Sequence, residues 1–113
     1  HAIEAVAGFG TFSHGHAVAE GMRFAARLGA ALVGTPIEFV RAQDELLDEL
    51  GLPALAWQAD PEELLHAMLG DKKVRAGHLR FVLLRDVGEW TVEEVEREVV
   101  LEHLGAWARS KEA

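Results

Sequence analysis

Cysteine is absent from the 113 residues, which excludes disulfides and thiolate metal sites and is compatible with a reducing compartment. Basic residues are scarce: 11 Lys and Arg stand against 19 Asp and Glu, for a formal net charge of −8. Nucleic-acid binders need a basic face to neutralise phosphates, so the balance argues against that class. No apolar run approaches about 18 residues, and no membrane span is expected. No signal-peptide pattern opens the chain, and a cytoplasmic location is the expectation. An initiator Met is also lacking, and the chain starts within a helical pattern, so it is expected to be a piece of a longer protein. Repeats, low-complexity stretches and linkers are missing too. The 50% apolar and 27% charged residues suit one globular domain over residues 1–113, able to bury roughly two thirds of its unfolded surface.

Punctuation along the chain predicts a mainly α architecture with one short β element. His1 to about Ala7 reads as a helix stopped by Gly8 and Gly10. A second helix, about His14 to Val33, is apolar almost all round, with a polar stripe of His16, Glu20, Arg23 and Arg27. Such a helix is expected at the centre of its domain. Thr35-Pro36 predicts the next start, as cap and first-turn proline, with Phe39, Val40, Leu46, Leu47 and Leu50 on one side. Asp60-Pro61-Glu62-Glu63 repeats the signal, and Leu64, Leu65, Met68 and Leu69 form the buried face of that helix. Leu79–Leu84 has strand character and Asp86-Val87-Gly88 a turn. Thr91-Val92-Glu93-Glu94 reads as a capping box opening a last helix, with Val95, Val99, Leu104 and Trp107 inward. The Trp and Phe positions follow these periods and are expected in the core.

Histidine carries the chemistry of this chain. His1, His14 and His16 fall within sixteen residues, and imidazole, with an ordinary pKa of about 6.5, serves both as metal ligand and as proton shuttle. The spacing makes no self-contained metal site, since zinc needs three or four convergent ligands and Ala5, not a second His, stands four residues after His1. His14 is either a ring at a helix entry or a ligand. His16 is expected to pair with Glu20, four residues on. His66, His78 and His103 are isolated and read as surface or boundary residues. Asp71-Lys72-Lys73-Val74-Arg75 gathers three cations between Gly70 and Gly77; it is either a solvated loop or a reach toward a phosphate or carboxylate. Neither GxGxxG nor GxxxxGK[ST] occurs, and no Ser-His-Asp arrangement stands out.

His1-Ala2-Ile3-Glu4-Ala5, His14-Gly15, Ala17-Val18, Gly21-Met22 and Ala25-Ala26-Arg27-Leu28 closely resemble the C-terminal half of 3-dehydroquinate synthases. Gly51-Leu52-Pro53, Asp60-Pro61-Glu62-Glu63-Leu64, Asp71-Lys72-Lys73 and Leu79-Arg80-Phe81-Val82-Leu83 continue the match in order, from His1 to about Leu104. The resemblance implies a helical C-terminal domain normally paired with an N-terminal NAD-binding α/β domain, which is absent here, with the active site between them. It implies NAD and a divalent metal, zinc or cobalt, as cofactors, and a homodimer. The implied reaction converts 3-deoxy-arabino-heptulosonate 7-phosphate, a phosphorylated keto acid, to 3-dehydroquinate and phosphate in the shikimate pathway.

Carried over by motif, His14 corresponds to a metal ligand and His1 to an active-site His that relays a proton. Lys72 corresponds to a substrate-binding residue, with Lys73 a second claimant. A further ligand His, placed four residues before the HAIE segment, lies ahead of His1. The third ligand, a Glu, and the NAD-binding glycines belong to the N-terminal half. His16 stands where the family usually has Glu, either as a second polar residue facing the cleft or as the mark of a shifted specificity. Three other readings are a sister sugar-phosphate cyclase, a metal-dependent polyol dehydrogenase of related fold, and a non-catalytic helical interaction module.

Overall fold

The computed structural model describes residues 1–8, 10–70 and 78–111. In chain order its elements are α1 (Ala2–Ala7), α2 (His14–Leu32), α3 (Ile37–Glu49), α4 (Pro61–Leu69), β1 (His78–Asp86), β2 (Glu89–Glu96) and α5 (Arg97–Ser110). The expected mainly α fold with one small β element is present. That element is an antiparallel hairpin, in which Leu79 faces Val95, Val82 faces Val92 and Leu84 faces Trp90.

Two helix starts are capped by side chains, and at α4 the cap is the one its sequence signal marks. Ser13 caps α2, its hydroxyl oxygen accepting the His16 N–H at 3.1 Å. Asp60 caps α4 by accepting from the N–H groups of Glu62 and Glu63 at 2.9 and 3.3 Å, with Pro61 in the first turn where its missing N–H costs nothing. At α3 the cap position belongs to Pro36, not Thr35. Thr35 is buried and its hydroxyl donates to the Leu84 carbonyl of β1, so it ties the α2–α3 turn to the sheet. A side chain at Gly29 would collide with that hydroxyl.

The capping box expected at Thr91–Glu94 is overruled. Those residues lie inside β2, and α5 begins only at Arg97. Thr91, Glu93 and Val95 alternate toward the interior, and Val95 is fully in the core opposite Leu79. A local cap signal is weaker than a ladder of backbone bonds that also buries one face of the hairpin. Trp90, expected in the core, is instead exposed on the outer face of the sheet.

The core joins every layer: Phe24 and Leu28 of α2, Leu64 and Leu65 of α4, Leu79 and Leu83 of β1, Val95 of β2, and Val100, Leu104 and Trp107 of α5. Phe24 and Trp57 meet the Trp107 ring edge-on, with centroids 6.0 and 6.1 Å away, the arrangement aromatic quadrupoles favour. On α3 only Val40 and Leu47 are buried, while Leu46 and Leu50 of the expected apolar face are exposed.

The polar stripe of α2 is split: Glu20 and Arg23 face inward, while Arg27 is exposed and His16 half-buried. Glu20 is wholly buried and Arg23 nearly so, whereas Val18 and Met22 are 46% and 41% exposed. Glu20 does not pair with His16. Its Oε1 accepts from Lys111 Nζ at 2.5 Å and from the Leu55 N–H at 2.7 Å, and Lys111 also donates to the Leu55 carbonyl at 3.1 Å. Arg23 donates to the Leu52 carbonyl at 2.9 Å and to Asp48 at 3.1 Å, while Arg27 reaches Asp44 at 2.9 Å. Buried charges are tolerated when each finds partners of this kind. Removal of one partner of a buried pair leaves the other uncompensated, so Glu20→Ala or Lys111→Ala should each cost about 3–5 kcal/mol in urea unfolding. Joint replacement by Glu20→Leu and Lys111→Met should cost far less. A double variant as unstable as the single ones would show that the loss does not come from a buried charge left unpaired.

Candidate functional site

A cleft of about 780 Å³ opens where α1, the start of α2, the end of α4 and β1 meet. Its polar lining comes from His1, Glu4, His14 and Arg80, and the remainder is mostly apolar, including Val18 and Phe81. That volume and that mixture, an apolar wall with a few convergent polar groups, are typical of small-molecule sites.

Local sequence explains why these groups converge. Gly8 and Gly10 both have φ of +92°, a conformation open to glycine because it has no Cβ. With the Thr11 hydroxyl donating to the Ala7 carbonyl at 2.9 Å, they fold the end of α1 back toward the start of α2. His1 leads α1, its carbonyl accepting the Ala5 N–H at 3.0 Å. His14 is the first residue of α2, and its Nδ1 lies 2.8 Å from Glu4 Oε1. The Glu4 side chain is 17% exposed and that of His14 is 69% exposed, so the carboxylate sits behind a ring that stays accessible.

His1 and His14, the two histidines singled out in the sequence, therefore share one cleft. His16 does not line it: its Nδ1 contacts the Ser13 hydroxyl, on the other side of the helix entry. The possibility of a second polar residue facing the cleft is thereby removed. His66 lines a separate hollow with Glu62 and Glu63. Lys72 and Lys73, with the rest of the basic segment, lie outside the described residues. Gly70 before that segment and Leu79 just after it both line the cleft.

Glu4 and Arg80 also line the cleft, and neither was singled out in the sequence as a site residue. Glu4 follows His1 by three residues, nearly one turn of α1, but its meeting with His14 depends on the reversal between the helices. Arg80 reaches the cleft from a strand whose neighbours Leu79 and Phe81 also line it. Among the described residues, no group of three or more His, Cys, Asp or Glu side chains is placed to hold a metal ion. One imidazole with a carboxylate behind it is nonetheless the chemistry of a divalent transition-metal ligand. The described residues thus fit one arm of a metal site.

Comparison with known proteins places the chain in a family. Residues 1–74 match the family model for the 3-dehydroquinate synthase C-terminal region. A 3-dehydroquinate synthase of Dehalococcoides mccartyi is 43% identical over 94 residues, covering 83% of this chain and 26% of that protein. Another, from Geobacillus thermodenitrificans, is 39% identical over 110 residues, covering 96% of this chain and 30% of that protein. Among solved structures, 2-deoxy-scyllo-inosose synthase complexed with carbaglucose-6-phosphate, NAD⁺ and Co²⁺ superposes with a TM-score of 0.79 at 27% identity, over 92% of this chain and 31% of that one. The chain spans less than a third of the length of these relatives. The chain therefore belongs to the 3-dehydroquinate synthase family, as a counterpart of the C-terminal region.

Proposed function

We propose that this chain is the C-terminal metal- and substrate-binding part of a 3-dehydroquinate synthase. The whole enzyme would convert 3-deoxy-arabino-heptulosonate 7-phosphate to 3-dehydroquinate and inorganic phosphate in the cytoplasm, as a homodimer. The observation that carries the reading is the convergence of His1, Glu4 and His14 on one cleft, together with identity of 39–43% to 3-dehydroquinate synthases.

In this reading an N-terminal domain preceding His1 supplies NAD and the remaining metal ligands. When bound, NAD would accept and return a hydride, and a divalent cation, zinc or cobalt, would polarise the substrate hydroxyl as a Lewis acid. The residues of this chain do the rest. His14 would hold the cation through Nε2, the ring nitrogen that Glu4 leaves free. His1 takes the proton from the hydroxyl being oxidised and gives it back on re-reduction, a task suited to an imidazole at neutral pH. Lys72 binds a substrate anion as a point charge. The N-terminal end of the nineteen-residue α2, at His14, adds a positive helix pole beside the cleft.

A sister sugar-phosphate cyclase is the second reading, and the likeness to 2-deoxy-scyllo-inosose synthase favours it. Identity to that enzyme is 27%, well below the values for the 3-dehydroquinate synthases. A polyol dehydrogenase acts on unphosphorylated alcohols and gives Lys72 nothing to bind. The non-catalytic module leaves the cleft histidines without a task. Phosphate release by the full-length enzyme, assayed with the seven-carbon keto-acid phosphate and with a hexose 6-phosphate, separates the two cyclases.

The 113-residue chain alone should show no turnover and only weak zinc binding, because one or two His cannot complete a three-ligand site; measurable activity would refute the split-site reading. In the full-length enzyme, His14→Ala should remove most bound metal with the helical fold intact, and His16→Ala should leave metal content near that of the unmodified protein. Metal analysis that finds equal loss from both would mean the ligand is wrongly assigned. A charge-assisted contact is worth about 1.5–3 kcal/mol, so Lys72→Ala should lower kcat/KM by about ten- to a hundredfold and Arg75→Ala by much less. Steady-state kinetics showing Arg75→Ala to be the more damaging would move the anion contact along the segment.

A further inference from the structure

We propose that Glu4 is a positioning residue: it fixes the ring orientation and tautomer of His14, and through the same contact holds the helix that carries His1. The proposal rests on the reading of His14 as a metal ligand and assigns the side chain that makes it one. An ionised carboxylate only accepts hydrogen bonds, so the ring nitrogen 2.8 Å from Glu4 Oε1 must be the donor. The neutral His14 ring therefore carries its proton on Nδ1 and presents the lone pair of Nε2. This is the arrangement in which a carboxylate behind an imidazole orients it and raises its basicity toward a metal.

The second half follows from α1 itself. This helix has six residues and buries none of them fully, and so short a helix cannot persist on its own hydrogen bonds. It is held by packing against α4 and α2, and the Glu4–His14 bond is the polar link from its interior to the start of α2. Glu4 follows His1 by three residues and both line the cleft, so one carboxylate sets the place of both site histidines. Its enclosure supports this: with 17% of the side chain exposed, Glu4 is shielded from water, while its partner ring is open to the cleft.

The test uses the full-length enzyme with nitrogen-15-labelled histidine, metal-free for tautomer assignment by NMR and titrated with zinc against a chelator for affinity. The unmodified protein should show His14 protonated on Nδ1. Glu4→Ala should shift the ring toward the Nε2-protonated form and weaken zinc binding about 10- to 100-fold. Glu4→Gln, whose side-chain carbonyl still accepts from Nδ1, should keep the tautomer and lose less than about tenfold. Circular dichroism should show the same helix content in the unmodified protein and Glu4→Gln, and in Glu4→Ala a loss no larger than the six residues of α1. A ring that stays Nδ1-protonated in Glu4→Ala, zinc affinity unchanged by that substitution, or equal losses in Glu4→Ala and Glu4→Gln would each overturn the proposal. Should His14→Ala leave zinc affinity intact, the metal reading of the site fails instead, and the tautomer of the metal-free protein still decides what Glu4 does.

Discussion

The carboxylate of Glu20, wholly buried on α2, is the contact on which the placement of everything else turns. It receives Lys111 from the end of α5 and the Leu55 N–H from the α3–α4 connection. Arg23, one turn further along, takes the Leu52 carbonyl and the acidic side of α3. At 100° per residue, Glu20, Arg23 and Arg27 lie on one side of the helix, and His14, Ala17, Val18 and Gly21 lie on the opposite side. Those four all line the cleft. A rotation of α2 about its axis would strand charges that cost several kcal/mol each when unpaired. The direction in which His14 points is therefore set by ion pairs on the far face of its own helix.

This arrangement also accounts for the apolar exposure. Val18 and Met22 are open to solvent although the helix is central to the fold, because the interior on the other side is claimed by charged groups that need partners. The cleft thus has an apolar wall with its polar groups concentrated at the α1–α2 junction and the edge of β1. A low-polarity wall strengthens each electrostatic contact made beside it.

What was legible in the sequence was local. Asp60 and Pro61 announce a helix start because a cap is a contact between residues two or three apart. His1 and His14 could be picked out by type and position, and the resemblance assigned them roles. The failures are all long-range. Lys111 stands 91 positions from Glu20, so the pattern that marked Glu20 and Arg23 as a polar stripe could not tell which way the stripe faces. Thr91–Glu94 has the spelling of a capping box, and only the pairing with β1 makes it a strand. Glu4 and His14 meet across a reversal made by two glycines in the left-handed region, which spacing alone does not encode.

The family likeness is itself distributed in a physically informative way. Of the segments that carry the resemblance, those at His1–Ala5, His14–Gly15, Ala17–Val18, Gly21–Met22 and Leu79–Phe81 contribute to the walls of a single cleft, whereas Ala25–Leu28, Gly51–Pro53 and Asp60–Leu64 do not. On α2 itself the cleft residues His14, Ala17, Val18 and Gly21 stand opposite Glu20, Arg23 and Arg27. Fold and chemistry are thus divided between the two faces of one helix. The far face anchors α2 through paired buried charges, and the near face presents a histidine whose ring is held by a carboxylate from the neighbouring helix. A change on the far face acts on the site only by turning the helix, whereas a change at Glu4 or His14 can alter the chemistry and leave the core intact.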